Sequence, residues 1–186
     1  MSVEDDAQLM QAVAAGDRRA MEALYAQHVD YVFRIAYRFL LDEDEACDLT
    51  QSVFVSLIQS ARRYRPEAKL TTWIYRVVVN RCLNQCARAG RRLRSPSSEA
   101  ELAEMPASEE SRPDRIAARE QQRARVRAAI LELPERQRMA LVLRRFEQKS
   151  YAEIADALGC SVSSVESLLF RARRSLANKM LPLDIA

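Results

Sequence analysis

Apolar residues recur at helical spacing over most of the chain. Met21, Leu24, Tyr25, His28, Val32, Ile35, Ala36 and Phe39 follow the i, i+3, i+4 rule, which predicts an amphipathic helix over roughly 18–41. Gly16-Asp17 punctuates its start: the glycine closes a short preceding helix and the aspartate caps the next. Asp42 with Glu45 reads as a capping box for a third helix reaching about Arg62, its apolar face made by Leu49, Val53, Phe54, Leu57 and Ile58. Tyr64-Arg65-Pro66 breaks that helix, and a fourth runs from Thr71 or Thr72 to about Ala89, ended by Gly90.

The pattern disappears after Arg94. Ser95-Pro-Ser-Ser-Glu, then Glu101, Glu104, Pro106, Glu109, Glu110 and Pro113, reads as a solvated acidic linker over 95–118. Periodicity returns near Ile116, breaks at Leu133-Pro134, resumes over Glu135–Phe146 and restarts at Ser150, which forms a capping box with Glu153. Leu158-Gly159-Cys160 ends that short helix, and Ser161 caps a last one running to about Met180. The expected fold is all-α: two small helical domains, 1–94 and 119–186, joined by the flexible linker. Only three glycines in 186 residues argue against sandwiches, barrels and Rossmann-like sheets, whose turns and phosphate loops need them.

Composition adds to this through its distribution. The net charge of +3 is uninformative, but residues 62–94 hold ten basic side chains against one acidic, whereas residues 1–61 hold four against eleven. Charge is segregated into blocks, and a 48% hydrophobic content excludes disorder of the whole chain. No stretch approaches about 18 uncharged apolar residues, and Met1-Ser-Val-Glu-Asp-Asp is acidic where a signal peptide is basic and then apolar. A cytoplasmic protein without membrane insertion is expected. Cys47, Cys82, Cys86 and Cys160 are scattered, with no CxxC pair and with His28 the sole histidine, so they read as buried or half-buried thiols. No cofactor is expected, and no metal cluster or nucleophile–base pair points to an enzyme.

Three constellations carry chemistry. Ser150 to Arg174 matches a helix-turn-helix, with Ala155 at the packing face, a tight turn at Gly159, and Val162, Val165, Leu169, Ala172 and Leu176 inward. In that geometry Ser161, Ser163, Ser164, Glu166 and Ser167 face base edges of a major groove, while Phe170, Arg171, Arg173 and Arg174 serve bases, backbone or packing. A helical hairpin with a solvated basic face is the plainer reading. On the fourth helix Trp73, Arg76, Asn80, Asn84 and Arg88 fall on one stripe, with Tyr64 and Arg81 beside it and Ile74, Val77, Val78 and Cys82 behind. Rings that stack, amides that bond exposed base edges and cations that follow the backbone suit unpaired DNA. Taken alone, Trp73 is as consistent with core as with a base platform. The third cluster, Asp42 to Gln51, would be repelled by nucleic acid, so its partner is a basic protein surface unless it is simply a cap.

Glu45-Ala-Cys-Asp-Leu-Thr-Gln-Ser-Val-Phe, Leu70-Thr-Thr-Trp-Ile-Tyr-Arg-Val-Val-Val-Asn and Leu133-Pro-Glu-Arg-Gln-Arg, followed by the helix-turn-helix, resemble a bacterial extracytoplasmic-function sigma factor, a member of the sigma-70 family that keeps regions 2 and 4. The resemblance implies that region 2 binds the β′ clamp helices of core RNA polymerase near Asp48, Leu49, Gln51, Ser52 and Phe54, and captures the melted non-template strand of the −10 element around Asn80 and Asn84. It implies that region 4 reads the −35 element as duplex and touches the β flap, that the linker threads toward the active-site channel, and that an anti-sigma factor holds the protein in check. The regulon would answer a stress or signal. Two departures stand out: Cys47 and Ser52 occupy positions often acidic in the family, and Glu166 and Leu168 occupy positions commonly basic. An altered −35 preference follows, with cytosine contacted by Glu166. The competing reading is a stand-alone duplex-binding repressor or activator, although no a/d heptad seam for a dimer is present.

Overall fold

The computed structural model describes residues 3–65, 69–92 and 113–180. Several helices start where a side chain can accept their first free amides. Gly16, at φ 89, turns the chain out of α1 (Val3–Ala14), and Asp17 in extended backbone accepts from the amides of Arg19 and Ala20 to start α2 (Arg18–Leu40). Asp42 accepts from Glu45 N to start α3 (Glu43–Ser60), which runs into a single 3-10 turn, Ala61–Arg63. Only half of the expected capping box forms at α3: the Glu45 carboxylate instead meets Gln85 Nε2 at 3.4 Å.

The remaining helices are α4 (Leu70–Arg92), α5 (Pro113–Leu131), α6 (Glu135–Arg145), α7 (Tyr151–Leu158) and α8 (Val162–Met180). Among the described residues no strand occurs, and the all-α expectation holds. Two boundaries differ from it. The α4 helix continues through Gly90 to Arg92, because one glycine costs a helix only about 1 kcal/mol and good helix formers follow it. The α5 helix begins at Pro113, inside the stretch read as linker; a proline is tolerated at a first helical position because its missing N–H would have no partner there. Residues 95–112 of that linker lie outside the described residues.

The start of α4 is capped from a distance. Lys69 cannot cap, and the Leu70 amide instead donates to the Asp6 carboxylate of α1 at 3.0 Å, Asp6 being buried. His28, Thr50 and Arg138 are the other buried polar residues among those described. Burial pushes the His28 pKa down, with the Asp6 charge opposing.

One continuous cluster of buried residues runs through both halves of the chain. Met10, Leu24, Ile35, Phe39, Leu49, Leu57 and Ile74 fill the N-terminal part, and Met139, Leu143, Ile154 and Leu169 the C-terminal part. The halves meet where α6 and α7 pack on α2 and α4. This junction is rich in charge. Glu147, whose side chain is only 5% exposed, takes Arg38 Nη1 at 2.6 Å and Arg34 Nε at 3.3 Å. Arg38 also lies over the Phe146 ring at 4.9 Å, Lys149 over Tyr75 at 5.1 Å, and Arg127 donates to the Tyr37 hydroxyl at 2.9 Å. Arg76 of α4 grips Asp156 of α7 with Nε at 2.8 Å and Nη2 at 2.5 Å, both side chains about half-exposed. Magnitudes rank these contacts: an exposed pair contributes roughly 0–1 kcal/mol, whereas stripping both arginines from buried Glu147 would cost on the order of 3–5 kcal/mol.

Arg138 is the unusual member of the junction. Its guanidinium lies 4.5 Å over the Phe39 ring and donates from Nη2 to the Cys86 sulfur at 3.3 Å, while Nε has no partner among the described residues. The thiols themselves are free: Cys82 buried, Cys86 and Cys160 half-buried, and Cys47 exposed, contrary to expectation. Cys47 is exposed because it follows the one inward position of that turn, Ala46. Burial pushes the Cys86 thiol up, with Arg138 pulling the other way.

Two stability measurements follow. Asp6→Ala should lower stability in urea by about 1–3 kcal/mol by orphaning the buried Leu70 amide, and Asp6→Asn, which keeps an acceptor, should lose clearly less. Arg138→Met should be neutral within about 1 kcal/mol or stabilising, since the thioether fills the same space without burying a charge; a loss above about 3 kcal/mol would show that the guanidinium's contacts outweigh its desolvation.

Candidate nucleic-acid interface

The α4 helix has two chemically separate faces. Ile74, Tyr75, Val78, Val79 and Cys82 are buried, whereas Arg76, Asn80 and Asn84 are exposed. Val77, expected on the apolar face, is half-buried and lines a groove with Asn80, Arg81 and Asn84 on one side and Ser56, Gln59, Ser60 and Arg63 of the preceding elements on the other. The groove encloses about 430 Å³. Its wall is ordered from within: Ser56 Oγ donates to the Ser52 carbonyl at 2.7 Å and accepts from Arg81 Nη2, which lays the guanidinium along α3. Amides, hydroxyls and two arginines in one trough offer donors and acceptors to a base edge and positive charge to its backbone.

The aromatic pair stands differently from the expectation. Tyr64 is buried, its ring meeting Trp73 edge-on at 5.6 Å and 64°, and burial, with the Asp6 charge, pushes its hydroxyl pKa up. Tyr64 is therefore a wall behind Trp73 rather than an open stacking surface. Trp73 is half-buried against the core. Arg88 sits on α4, where its side chain lies outside the described residues. The sequence does not assign Ser56, Gln59, Ser60 and Arg63 to this groove, because it joins elements whose pairing only the fold defines.

The helix-turn-helix is built as its signals indicate. Ser150 and Glu153 form the complete capping box, with Ser150 N and Oγ both 2.8 Å from the Glu153 carboxylate, which holds that carboxyl below its usual range. Gly159 at φ 59 makes the left-handed turn. Val165, Leu169 and Ala172 are buried and Leu176 half-buried, but Val162 is 43% exposed, not inward, because it stands on the first turn ahead of the packing face. Ser161, Ser163, Ser164, Glu166, Ser167, Phe170, Arg171, Arg173 and Arg174 are all exposed. Ser161 Oγ accepts from Ser164 N and lies within 3.0 Å of the Ser163 hydroxyl and 2.8 Å of the Ser164 hydroxyl. Arg136 of α6 joins this face: it donates to the Leu158 carbonyl at 2.7 Å and, with Arg171, flanks a shallow hollow lined by Cys160, Ser163, Ser164, Ser167 and Leu168.

On the acidic face of α3, Asp48 and Gln51 are exposed, Ser52 is half-buried with its hydroxyl on the Leu49 carbonyl, and Leu49 and Phe54 are buried. The last two are thus core and not contact residues, because they fall on the inward stripe. The apolar contribution to this surface comes from Val55, 53% exposed, and Tyr25, 46% exposed and packed 4.7 Å from the Phe54 ring. No helix among the described residues is long and apolar enough to cross a membrane.

The comparisons agree with this architecture. The family model for Sigma-70 region 2 matches residues 24–92, and that for Sigma-70, region 4, matches residues 123–176. The chain is 33% identical over 188 residues to the RNA polymerase sigma-H factor of Pseudomonas aeruginosa, covering 98% of this chain and 97% of that protein. It is 32% identical over 185 residues to the ECF RNA polymerase sigma-E factor of Escherichia coli K12, covering 96% and 95%. The structure of the sigma factor RpoE in complex with the anti-sigma factor NepR from Bartonella quintana superposes with a TM-score of 0.66 at 20% identity, over 88% of this chain and 98% of that one. With α3 and α4 in the region 2 match, the helix-turn-helix in the region 4 match, and relatives alike along their whole lengths, the chain belongs to the sigma-70 family as an RNA polymerase sigma factor of the extracytoplasmic-function group.

Proposed function

We propose that the protein docks on core RNA polymerase in the cytoplasm and selects promoters by two different readings of DNA. The α8 face reads the −35 element as duplex: Ser163, Ser164, Glu166 and Ser167 meet base edges, and Arg136, Arg171, Arg173 and Arg174 anchor the phosphates. The α3–α4 groove takes the melted non-template strand of the −10 element, with a flipped base at Asn80 and Asn84, Arg76 and Arg81 along the backbone, and the open side of Trp73 for stacking. Asp48, Gln51, Val55 and Tyr25 form the surface for the β′ clamp helices, and region 4 also meets the β flap. The linker ahead of α5 threads toward the active-site channel. The protein makes and breaks no bond; polymerase supplies the catalysis. An anti-sigma factor covers these surfaces when the regulon is silent; one structural relative was solved in complex with an anti-sigma factor.

The observation that carries this reading is the pairing of exposed Asn80 and Asn84 with Arg63 and Arg81 in a single polar groove. Duplex binding alone would have no use for it. Reconstitution with core polymerase should give promoter-specific run-off transcripts. Trp73→Ala and Asn80→Ala should each reduce them by roughly 5- to 150-fold, the equivalent of about 1–3 kcal/mol per base contact, while leaving −35 duplex binding intact. Tight operator binding without polymerase and no specific run-off would replace this reading with a repressor. Glu166→Ala should relax selection at one −35 cytosine by about 1–3 kcal/mol; unchanged base selectivity would remove Glu166 from the readout.

A further inference from the structure

The two walls of the α3–α4 groove differ in what they offer a ligand. Ser52, Ser56 and Ser60 stand one turn apart on α3, and each turns its hydroxyl back on the helix. Ser52 Oγ donates to the Leu49 carbonyl at 2.8 Å, Ser56 Oγ to the Ser52 carbonyl at 2.7 Å, and Ser60 Oγ to the Ser56 carbonyl. A carbonyl only accepts, so each hydroxyl hydrogen is spent there and only lone pairs remain for an outside partner. Ser56 gives one of its lone pairs to Arg81 Nη2. Ser60, half-buried in the groove lining, keeps both, since no donor among the described residues takes them.

We propose that Ser60 determines which base the groove accepts: an acceptor with no hydrogen to give, it favours a base that brings an exocyclic amino group and disfavours thymine, which has none. This rests on the strand-capture reading above.

The other groove residues do not choose between bases. Val77 offers apolar surface to any ring, Arg63 and Arg81 serve the phosphates common to all nucleotides, and the amides of Gln59, Asn80 and Asn84 carry donor and acceptor together. The choice therefore falls to the hydroxyl wall. An amino group carries two hydrogens. A side-chain amide takes one and returns its own N–H to the adjacent ring nitrogen of adenine or cytosine. The second hydrogen is left for Ser60 on the opposite wall. Thymine presents a carbonyl oxygen at the corresponding place, and two oxygens with no hydrogen between them repel. A free serine rotor would adapt by turning its hydrogen outward; Ser60 does so only by giving up the Ser56 carbonyl.

The test uses holoenzyme reconstituted from the full chain and core polymerase, with core polymerase alone as the baseline. The probes are two fluorescein-labelled single strands of about 12 nucleotides, one of 5-methyldeoxycytidine and one of thymidine, whose bases differ only along the edge that carries the amino group. Relative to core alone, the parent holoenzyme should prefer the 5-methyldeoxycytidine strand by about three- to tenfold, the scale of one hydrogen bond made or withheld. Ser60→Ala removes the acceptor from a helix that tolerates alanine well and should bring the preference down to that of core. Ser60→Thr keeps the hydroxyl and its route to the same carbonyl, and should retain the preference. No preference in the parent, or a preference that survives Ser60→Ala, overturns the proposal. Loss of the preference in Ser60→Thr as well as in Ser60→Ala marks a packing effect and overturns it too. If Asn80→Ala weakens the binding of both strands while Ser60→Ala changes nothing, base choice by Ser60 fails and strand capture stands. If the holoenzyme holds neither strand more tightly than core does, or Asn80→Ala leaves both unchanged, strand capture itself fails and the proposal with it.

Discussion

A helix that anchors a core on one side and carries arginine and amide side chains to the surface on the other works only if its two faces stay chemically separate. The rest of this structure is arranged around α4 meeting that condition. Its buried stripe, Ile74, Tyr75, Val78, Val79 and Cys82, is packed by elements from both halves of the chain, while the opposite stripe keeps Arg76, Asn80 and Asn84 at the surface. The register of that division is set from outside: Asp6 of α1 accepts the Leu70 amide, which fixes where the first turn begins and hence the rotation of every later side chain. Because the side-chain period is 3.6 residues, an offset of one residue would turn the amide stripe by about 100° toward the core.

The local elements were legible because their signals are local. Asp17, the Ser150–Glu153 box, Gly159 and the periodic apolar stripes each act within a turn or two, and the structure places helices where they indicate. What escaped had causes far apart in the chain. The cap of α4 comes from 64 residues upstream. The groove walls Ser56, Gln59, Ser60 and Arg63 belong to elements whose pairing with α4 no spacing encodes. Periodicity places Leu49 and Phe54 on the inward stripe, as the structure does, and only the resemblance implies an outward role for them; Tyr64, read as part of a strand site, is buried, and beside the acidic face of α3 the exposed apolar side chains are Val55 and Tyr25. The meeting of the two halves was equally invisible, since it depends on Arg34, Arg38 and Arg76 finding carboxylates about 80 to 113 residues away.

That junction is held by individual charges rather than by the charge blocks: Arg34 and Arg38 stand in the acidic N-terminal block, and Glu147 and Asp156 in the basic C-terminal one. Basic residues of α2 and α4 meet Glu147 and Asp156, which lie on the far side of an acidic stretch in sequence. Contacts of this kind are specific in direction but moderate in strength, and screening weakens the exposed members. Arg138, buried on Phe39 and Cys86 with its Nε unsatisfied, marks one place among the described residues, with His28 Nε2 and the Tyr75 hydroxyl, where the packing tolerates an unpartnered polar atom.

The hydroxyl cluster at the start of α8 has a consequence for how such a surface evolves. Ser161, Ser163 and Ser164 hold one another within 3.0 Å in an arrangement where either oxygen can be the donor. A hydroxyl rotor presents hydrogen or lone pair as its counterpart demands, so this patch tolerates several neighbours without rebuilding. An ionised carboxylate has no such latitude. On the proposed reading of the −35 element, discrimination would then concentrate on Glu166, and drift in target preference would cost a single codon there while the serines adapt unchanged.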